Sequence, residues 1–469
     1  MSGALAVFDL GKTNSKLFVF ASDGALLDER RTKPVWTNFR GRSVLDDERL
    51  HDWMNRELAD VVGAHGVNGL MVSTHGCAFA LVGGGELRHP ILDYEQEIPA
   101  SVATVIDPML PDFSETFTPW LPLGFSIARH IYWLEVEEPE AFALTEAILC
   151  FPQYWVWRFT GRLLAERSYI GAHNQLWAPL RQDFSSLVDR LGWRKKFPEM
   201  APAGAVVGET TVALADGSRR KLAVHNGVHD SNSALAYYRM TGLSGFTIVS
   251  TGTWVIIINL DCPLSALEGE RDMLCNVTVN GEPAPTLRFM GGREFDLVSE
   301  GWSKPIGQAA VERVMRRGVF VMPSWAAGGP FPEAEGCIAG GDVEGEERAA
   351  AAALYVAMMT DLSLDLIHSG NLLVVDGGLA KIDLFTAMLA QLRPAQTVVR
   401  STMSEGSATG AAALAFKALG LAPFKDETLP VTASGIAGLE AYRDRWRAMA
   451  ERHREAALAS RGRKEGAAQ

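Results

Sequence analysis

Apolar positions along the chain fall into short runs broken by small polar turns, and one arrangement of runs occurs twice. Residues 5–10 are nearly all apolar, as expected of a strand buried on both faces. Gly11-Lys12-Thr13-Asn14 interrupts the run, residues 15–20 resume it, and Ser22-Asp23-Gly24 turns the chain toward a third strand from Ala25. Leu50, Trp53, Met54, Leu58 and Val61 share one side of a helical wheel, which predicts a helix over 45–62. Strands are predicted at 69–73, 79–82 and 222–224, with Gly83-Gly84-Gly85 as a turn. Residues 125–191 are Trp-rich and helical in pattern, ending in a connector over 171–192. A loop over 226–230 then leads into a helix over 231–240.

Near Leu243 the opening pattern returns. Residues 246–249 read as a strand, Ser250-Thr251-Gly252-Thr253 as a turn and 254–259 as another strand. A long helix over 349–368, a strand over 372–375 ending in Asp376-Gly377-Gly378, and helices over 385–392 and 407–419 follow. The tail from Arg443 is charged, helical at first and frayed at its end. Strands alternating with helices in both halves imply an α/β architecture, and the recurring hairpin implies two similar domains, 1–241 and 242–469.

The bulk numbers narrow the function. At 469 residues the chain is too long for one ordinary core. A formal net charge of -12 argues against nucleic-acid and anionic-membrane surfaces, which need basic patches. It does not argue against phosphate, because backbone N–H groups and a metal ion hold phosphate without net basic charge. The five cysteines form no C-x-x-C pair and read as small buried hydrophobes in a reducing, cytoplasmic setting. The N-terminus lacks the basic start of a signal peptide, and no uninterrupted apolar stretch approaches a membrane span.

Three turns are candidates for phosphate binding. In Asp9-x-Gly11-Lys12-Thr13 the glycine permits close backbone approach, the threonine adds a donor, and Asp9 at the strand end suits a hydrated Mg²⁺. A P-loop is rejected, since Ala6 stands where its first glycine belongs. Thr251-Gly252-Thr253 repeats the chemistry in the same strand–turn–strand context. Gly377 and Gly378 lie at a strand end before a helix, where open α/β sheets bind ligands. Each turn alone reads as an ordinary turn, and Asp230, which closes a loop and opens a helix, reads alone as an N-cap. Taken in order they suit phosphoryl transfer, in which one carboxylate orients the attacking hydroxyl and accepts its proton.

In this order the residues resemble the FGGY carbohydrate kinases, of the actin/sugar kinase/heat-shock ATPase superfamily. FDLGKTNSK is similar to the first phosphate hairpin, NGVHDSNSALAYY to the segment carrying the catalytic base, and IVSTGTWVIIIN to the second hairpin. VVDGGLAKIDLFTAMLAQL is similar to the adenosine-binding segment and EGSATGAAALA to the helix after it. The resemblance implies two actin-like (ribonuclease H-like) domains closing over an interdomain cleft that holds ATP, Mg²⁺ and a small sugar. It implies Asp230 as base, Asp9 near the metal, and Gly11, Lys12, Thr13, Thr251, Gly252, Thr253, Gly377 and Gly378 around the nucleotide. His75, Phe79, Asp93, Tyr94, His229 and Asn276 are the expected substrate residues. The runs His-Asp-Ser-x-Ser-Ala and Ser-Thr-Gly-Thr-Trp are similar to the rhamnulokinase and fuculokinase group, although Ala78 replaces that group's charged residue. The acceptor implied is a primary hydroxyl of a ketose. Two other readings remain at this point, an ATP-binding regulator or chaperone-like module on the same fold, and an acyl kinase of the superfamily. A homodimer is an open alternative to a monomer.

Overall fold

The computed structural model describes residues 3–403, 405–421, 424 and 428–467, with side chains through 459. The chain divides into two compact units. The first comprises Met1–Leu243 with two later segments, Cys275–Pro283 and Glu405–Lys425; the second comprises Ser244–Leu274, Ala284–Ser404 and Asp426–Gln469.

The main sheet of the first unit is built on strand Ala4–Leu10. Strand Ser15–Phe20 pairs antiparallel to it and Leu26–Thr32 antiparallel to that, while Val67–Thr74 pairs parallel on its other side. Arg219–His225 extends the parallel part, and hairpin partner Val206–Ala213 closes the edge. Side chains alternate across the sheet. Ala4, Ala6, Phe8 and Leu10 join one core with Leu50, Trp53, Met54 and Leu58 of helix Asp47–His65. Asp46 caps that helix by accepting from the Arg49 N–H, and Gly66 ends it in the left-handed conformation. The other face carries Asp9 toward helix Gly406–Ala418, whose small residues allow close packing on helix Asp230–Met240. A Cβ on Gly410 would lie 2.0 Å from the Ser233 carbonyl oxygen.

Three differences from the sequence pattern are instructive. The strand at Phe79–Gly83 leaves the main sheet and pairs with Glu86–His89 and Ala147–Cys150. The two late segments of the first unit come from the half of the chain assigned by pattern to the second domain. Cys337 is exposed, unlike the other four cysteines.

The second unit repeats the strand order. Phe246–Thr251 pairs antiparallel with Val255–Asn259, which pairs antiparallel with Pro283–Phe289. On its other side it pairs parallel with Leu372–Gly377, and that strand with Thr397–Arg400. Helix Gly345–Leu366 is long and apolar enough to cross a membrane, but 83% of its most apolar window is buried inside the protein, where its alanines pack. The charged tail forms helix Leu439–Ala467, and the final two residues lie outside those described.

His130 shows how firmly the first unit is packed. It is 1% exposed, donates from Nε2 to the Gln96 carbonyl at 3.0 Å and meets Trp133 edge-on. Burial drives its pKa down to about 4. Between pH 6.5 and 4 the unfolded imidazole therefore binds a proton that the folded one refuses, and stability falls as acid is added. At pH 5 this opposes folding by about 2 kcal/mol. The urea-unfolding gap between wild type and His130→Asn is expected to narrow by about that amount from pH 7.5 to pH 5. A constant gap would contradict it.

Candidate functional site

In the first unit the parallel register brings three strand ends together. Asp9 pairs with Ser73, Leu10 with Thr74, and the short strand Val228–His229 adds His229 beside Thr74. The chain then delivers Asp9, His75 and Asp230 from three separate segments into one neighbourhood. Their mutual charge effects record it: Asp230 acts on both Asp9 and His75.

Asp9 is half-buried, and its Oδ2 accepts from Ser407 Oγ at 2.8 Å. Burial, then the negative charge of Asp230, raises its pKa to about 7. Asp230 opens its helix with a third of its side chain exposed. Its Oδ1 accepts from the Ser231 N–H at 2.6 Å and lies 3.1 Å from His229 Nε2. Burial holds His229 below the usual histidine range, although the Asp230 charge opposes this. The neutral ring donates from Nε2 to Asp230, while Nδ1 faces the Asn232 amide at 3.4 Å. Ser233 Oγ ties the two acids together: it lies 2.7 Å from the Asp230 carbonyl and 2.8 Å from that of Ser407.

The expected substrate residues divide. His75 is buried, bonds the Gly76 carbonyl through Nδ1 at 2.7 Å, and has its pKa lowered to about 4 by burial. It packs on Tyr94 and Phe151. Asp93 forms an ion pair with Lys12, whose Nζ also lies 3.7 Å above the Trp36 ring and 5.1 Å from the Tyr94 ring. Lys12, expected beside the nucleotide, thus joins the residues expected around the sugar. Asn276 arrives on the late segment and bonds His173 at 3.2 Å. Phe79 is in the hydrophobic core. At the first hairpin Gly11 N–H donates to the Asn14 carbonyl at 3.0 Å, and Thr13 is exposed at the tip.

In the second unit Thr251 pairs with Gly377 at the ends of parallel strands. Its buried hydroxyl donates to the Asp376 carbonyl at 2.6 Å and accepts from the N–H groups of Leu379 and Ala380 at 3.0 and 3.3 Å. Thr251 therefore shapes the glycine turn. Gly377 has φ of 92°, and a Cβ there would lie 2.0 Å from the Thr251 carbonyl, so only glycine fits. Gly252 and Thr253 are exposed, and with Gly292, Arg293, Gly378 and Ile382 they line a cavity of about 450 Å³. Gly292 belongs to the first turn of helix Gly291–Ser299, whose free N–H groups favour an anion. A Cβ on Gly292 would lie 2.0 Å from the Gly252 carbonyl.

Sequence reasoning missed Gly291-Gly292, His173, Glu405 and Ser407. The glycine pair had a readable signal, a strand end running into a helix as at Gly377-Gly378. The others lack local periodicity and acquire roles only through distant partners. Glu405 pairs with Lys16 at 2.7 Å.

A family model described as "Carbohydrate kinase FGGY, C-terminal domain" matches residues 244–423. No curated protein matches. Among solved structures, a carbohydrate kinase from Novosphingobium aromaticivorans is 35% identical, with a TM-score of 0.84, over 96% of this chain and 99% of that one. A ligand-bound xylulose kinase from Lactobacillus acidophilus shares the fold at 14% identity and a TM-score of 0.79, over 98% and 99% of the two chains. So does a Plasmodium falciparum glycerol kinase with ADP, at 14% identity and 0.76, over 96% and 98%. With two ribonuclease H-like strand orders, glycine turns at strand ends and full-length similarity at 35% identity, the chain belongs to the FGGY carbohydrate kinases.

Proposed function

We propose that this kinase transfers the terminal phosphoryl group of ATP to a primary hydroxyl of a ketose, such as L-fuculose, L-rhamnulose or a ketopentose, with Asp230 as general base. One observation carries the reading. Asp230 is a partly exposed carboxylate at a helix start, fixed by His229 and set beside the half-buried acid Asp9. The regulator and acyl-kinase readings fall away with membership of a carbohydrate kinase family.

Asp230 Oδ2 is the oxygen left to orient the acceptor hydroxyl, because Oδ1 takes the His229 and Ser231 donors. It receives the proton as the new O–P bond forms. His229, His75, Asp93, Tyr94 and Asn276 offer the mixture of donors and acceptors that sugar hydroxyls require. Lys12 pairs with Asp93 and holds it in place. The first unit is thereby the sugar side and the second, with its glycine turns, the nucleotide side. Gly11 and Thr13 are read as phosphate contacts, joined by Gly252, Thr253, Gly377, Gly378 and the start of helix Gly291–Ser299. The donor set fits a hydrated Mg²⁺ near Asp9. That carboxylate is half-buried beside a second acid, and the nearby Lys16 is paired with Glu405. When bound, the ion would neutralise charge on the transferring phosphoryl group.

Replacing Asp230 with Asn is expected to lower sugar-dependent ADP release by about 10²–10⁴-fold with the fold intact. Turnover at the wild-type rate would end the proposal. Thr251→Val leaves two buried N–H groups without their acceptor, which costs about 1–3 kcal/mol. A nonhydrolysable ATP analogue should then bind roughly tenfold or more weakly while the sugar KM is unchanged. A coupled ADP-release screen over ketopentoses, deoxyketohexoses and polyols should show its highest kcat/KM with a ketose, and a preference for polyols would refute that choice.

A further inference from the structure

One group of side chains shares Asn276 with the sugar-side residues and adds chemistry that phosphoryl transfer does not use. Cys77 Sγ lies 3.4 Å from His173 Nε2, and His173 Nδ1 lies 3.2 Å from Asn276 Oδ1. The three come from residues 77, 173 and 276, yet they form one line of nucleophile, base and orienter, all within the first unit. The direction of the proton follows from the ends. Asn276 presents an acceptor oxygen, so Nδ1 carries the hydrogen and Nε2 turns its lone pair to the thiol. The Phe125 carbonyl, 3.4 Å from Sγ, accepts from the same thiol hydrogen and fixes the sulfur's position. Both Cys77 and His173 sit at positive φ, 69° and 28°, conformations that side-chain-bearing residues rarely adopt and that the fold must impose. Cys262 and Cys275 bond the carbonyl of the next residue, at 3.7 and 3.1 Å, whereas the carbonyl that Cys77 meets is forty-eight residues on and an imidazole stands beside it.

We propose that Cys77, His173 and Asn276 form a nucleophilic thiol centre that small carbon electrophiles alkylate, and that alkylation shuts the sugar side of the kinase. In the step, the Cys77 Sγ–H proton passes to His173 Nε2 and the sulfur attacks carbon. With iodoacetamide the S–C bond forms as the C–I bond breaks, iodide departs, and the imidazolium returns its proton to water. The added group must occupy space beside Phe125, whose ring packs on Tyr94 at a centroid distance of 5.6 Å. The link to turnover rests on the proposed function; the reactivity of the thiol does not.

The test uses full-length protein carrying Cys337→Ser, which removes the exposed thiol. Iodoacetamide labelling is followed by peptide mass mapping, with ADP release assayed in parallel. Cys77 is expected to label at least about tenfold faster than the other buried cysteines, and turnover should fall in step with its occupancy. His173→Gln should slow labelling of Cys77 about tenfold or more without changing the melting temperature by more than a few degrees. If that variant fails to fold, Asn276→Ala should slow labelling in the same direction. Labelling of Cys77 that is no faster than its neighbours, or indifferent to His173 and Asn276, overturns the centre. Full labelling with turnover retained overturns the shut-off alone.

Discussion

Parallel strand register at the carboxyl ends of the two sheets is the constraint on which the rest depends. In a parallel pair, adjacent strands end side by side, so residues far apart in sequence are delivered to one edge. Asp9 with Ser73, and Thr74 with His229, make the acid–imidazole cluster of the first unit. Thr251 with Gly377 makes the glycine turn of the second. A one-residue slip in either pairing would turn these side chains to the opposite face and into the apolar core. The long buried strands on both faces are therefore what gives the polar edge its fixed geometry.

Burial then decides the charge state of that edge. It raises Asp9 and lowers His75 and His229, a single cause acting in opposite directions on acids and bases. The two lysines of the first hairpin are committed to acids, Lys12 to Asp93 and Lys16 to Glu405. A polyanion bound here would lean on backbone N–H groups and an incoming cation, in keeping with a chain of strongly negative net charge.

Much of this was legible in the residues. The two hairpins, the helix after Asp230 and the Asp-Gly-Gly turn follow from local apolar runs and glycine placement, and local runs are what sequence reading resolves. Gly-Lys-Thr advertises phosphate, whereas the structure pairs the Lys12 ammonium with a carboxylate eighty-one residues later. Phe79 is expected beside the substrate from the resemblance, yet a separate small sheet, buried along the whole strand, takes it into the core. Thr251 looked like a ligand donor, but its hydroxyl is consumed within its own turn. Ser407 and Glu405 were out of reach because their segment returns to the first unit after a long excursion through the second.

The bare backbone of Gly410 against Ser233 has a reach beyond packing. Ser233 has one hydroxyl proton and two carbonyls within reach, on Asp230 and Ser407, and Ser407 in turn holds Asp9. The gap between the two helices is thus a spacer gauge for the pair of acids, set by the absence of a single methyl group. The spacing of Asp230 and Asp9 is thus open to change from a position that touches neither, and a relative with a side chain there could lose that spacing with both acids still in place.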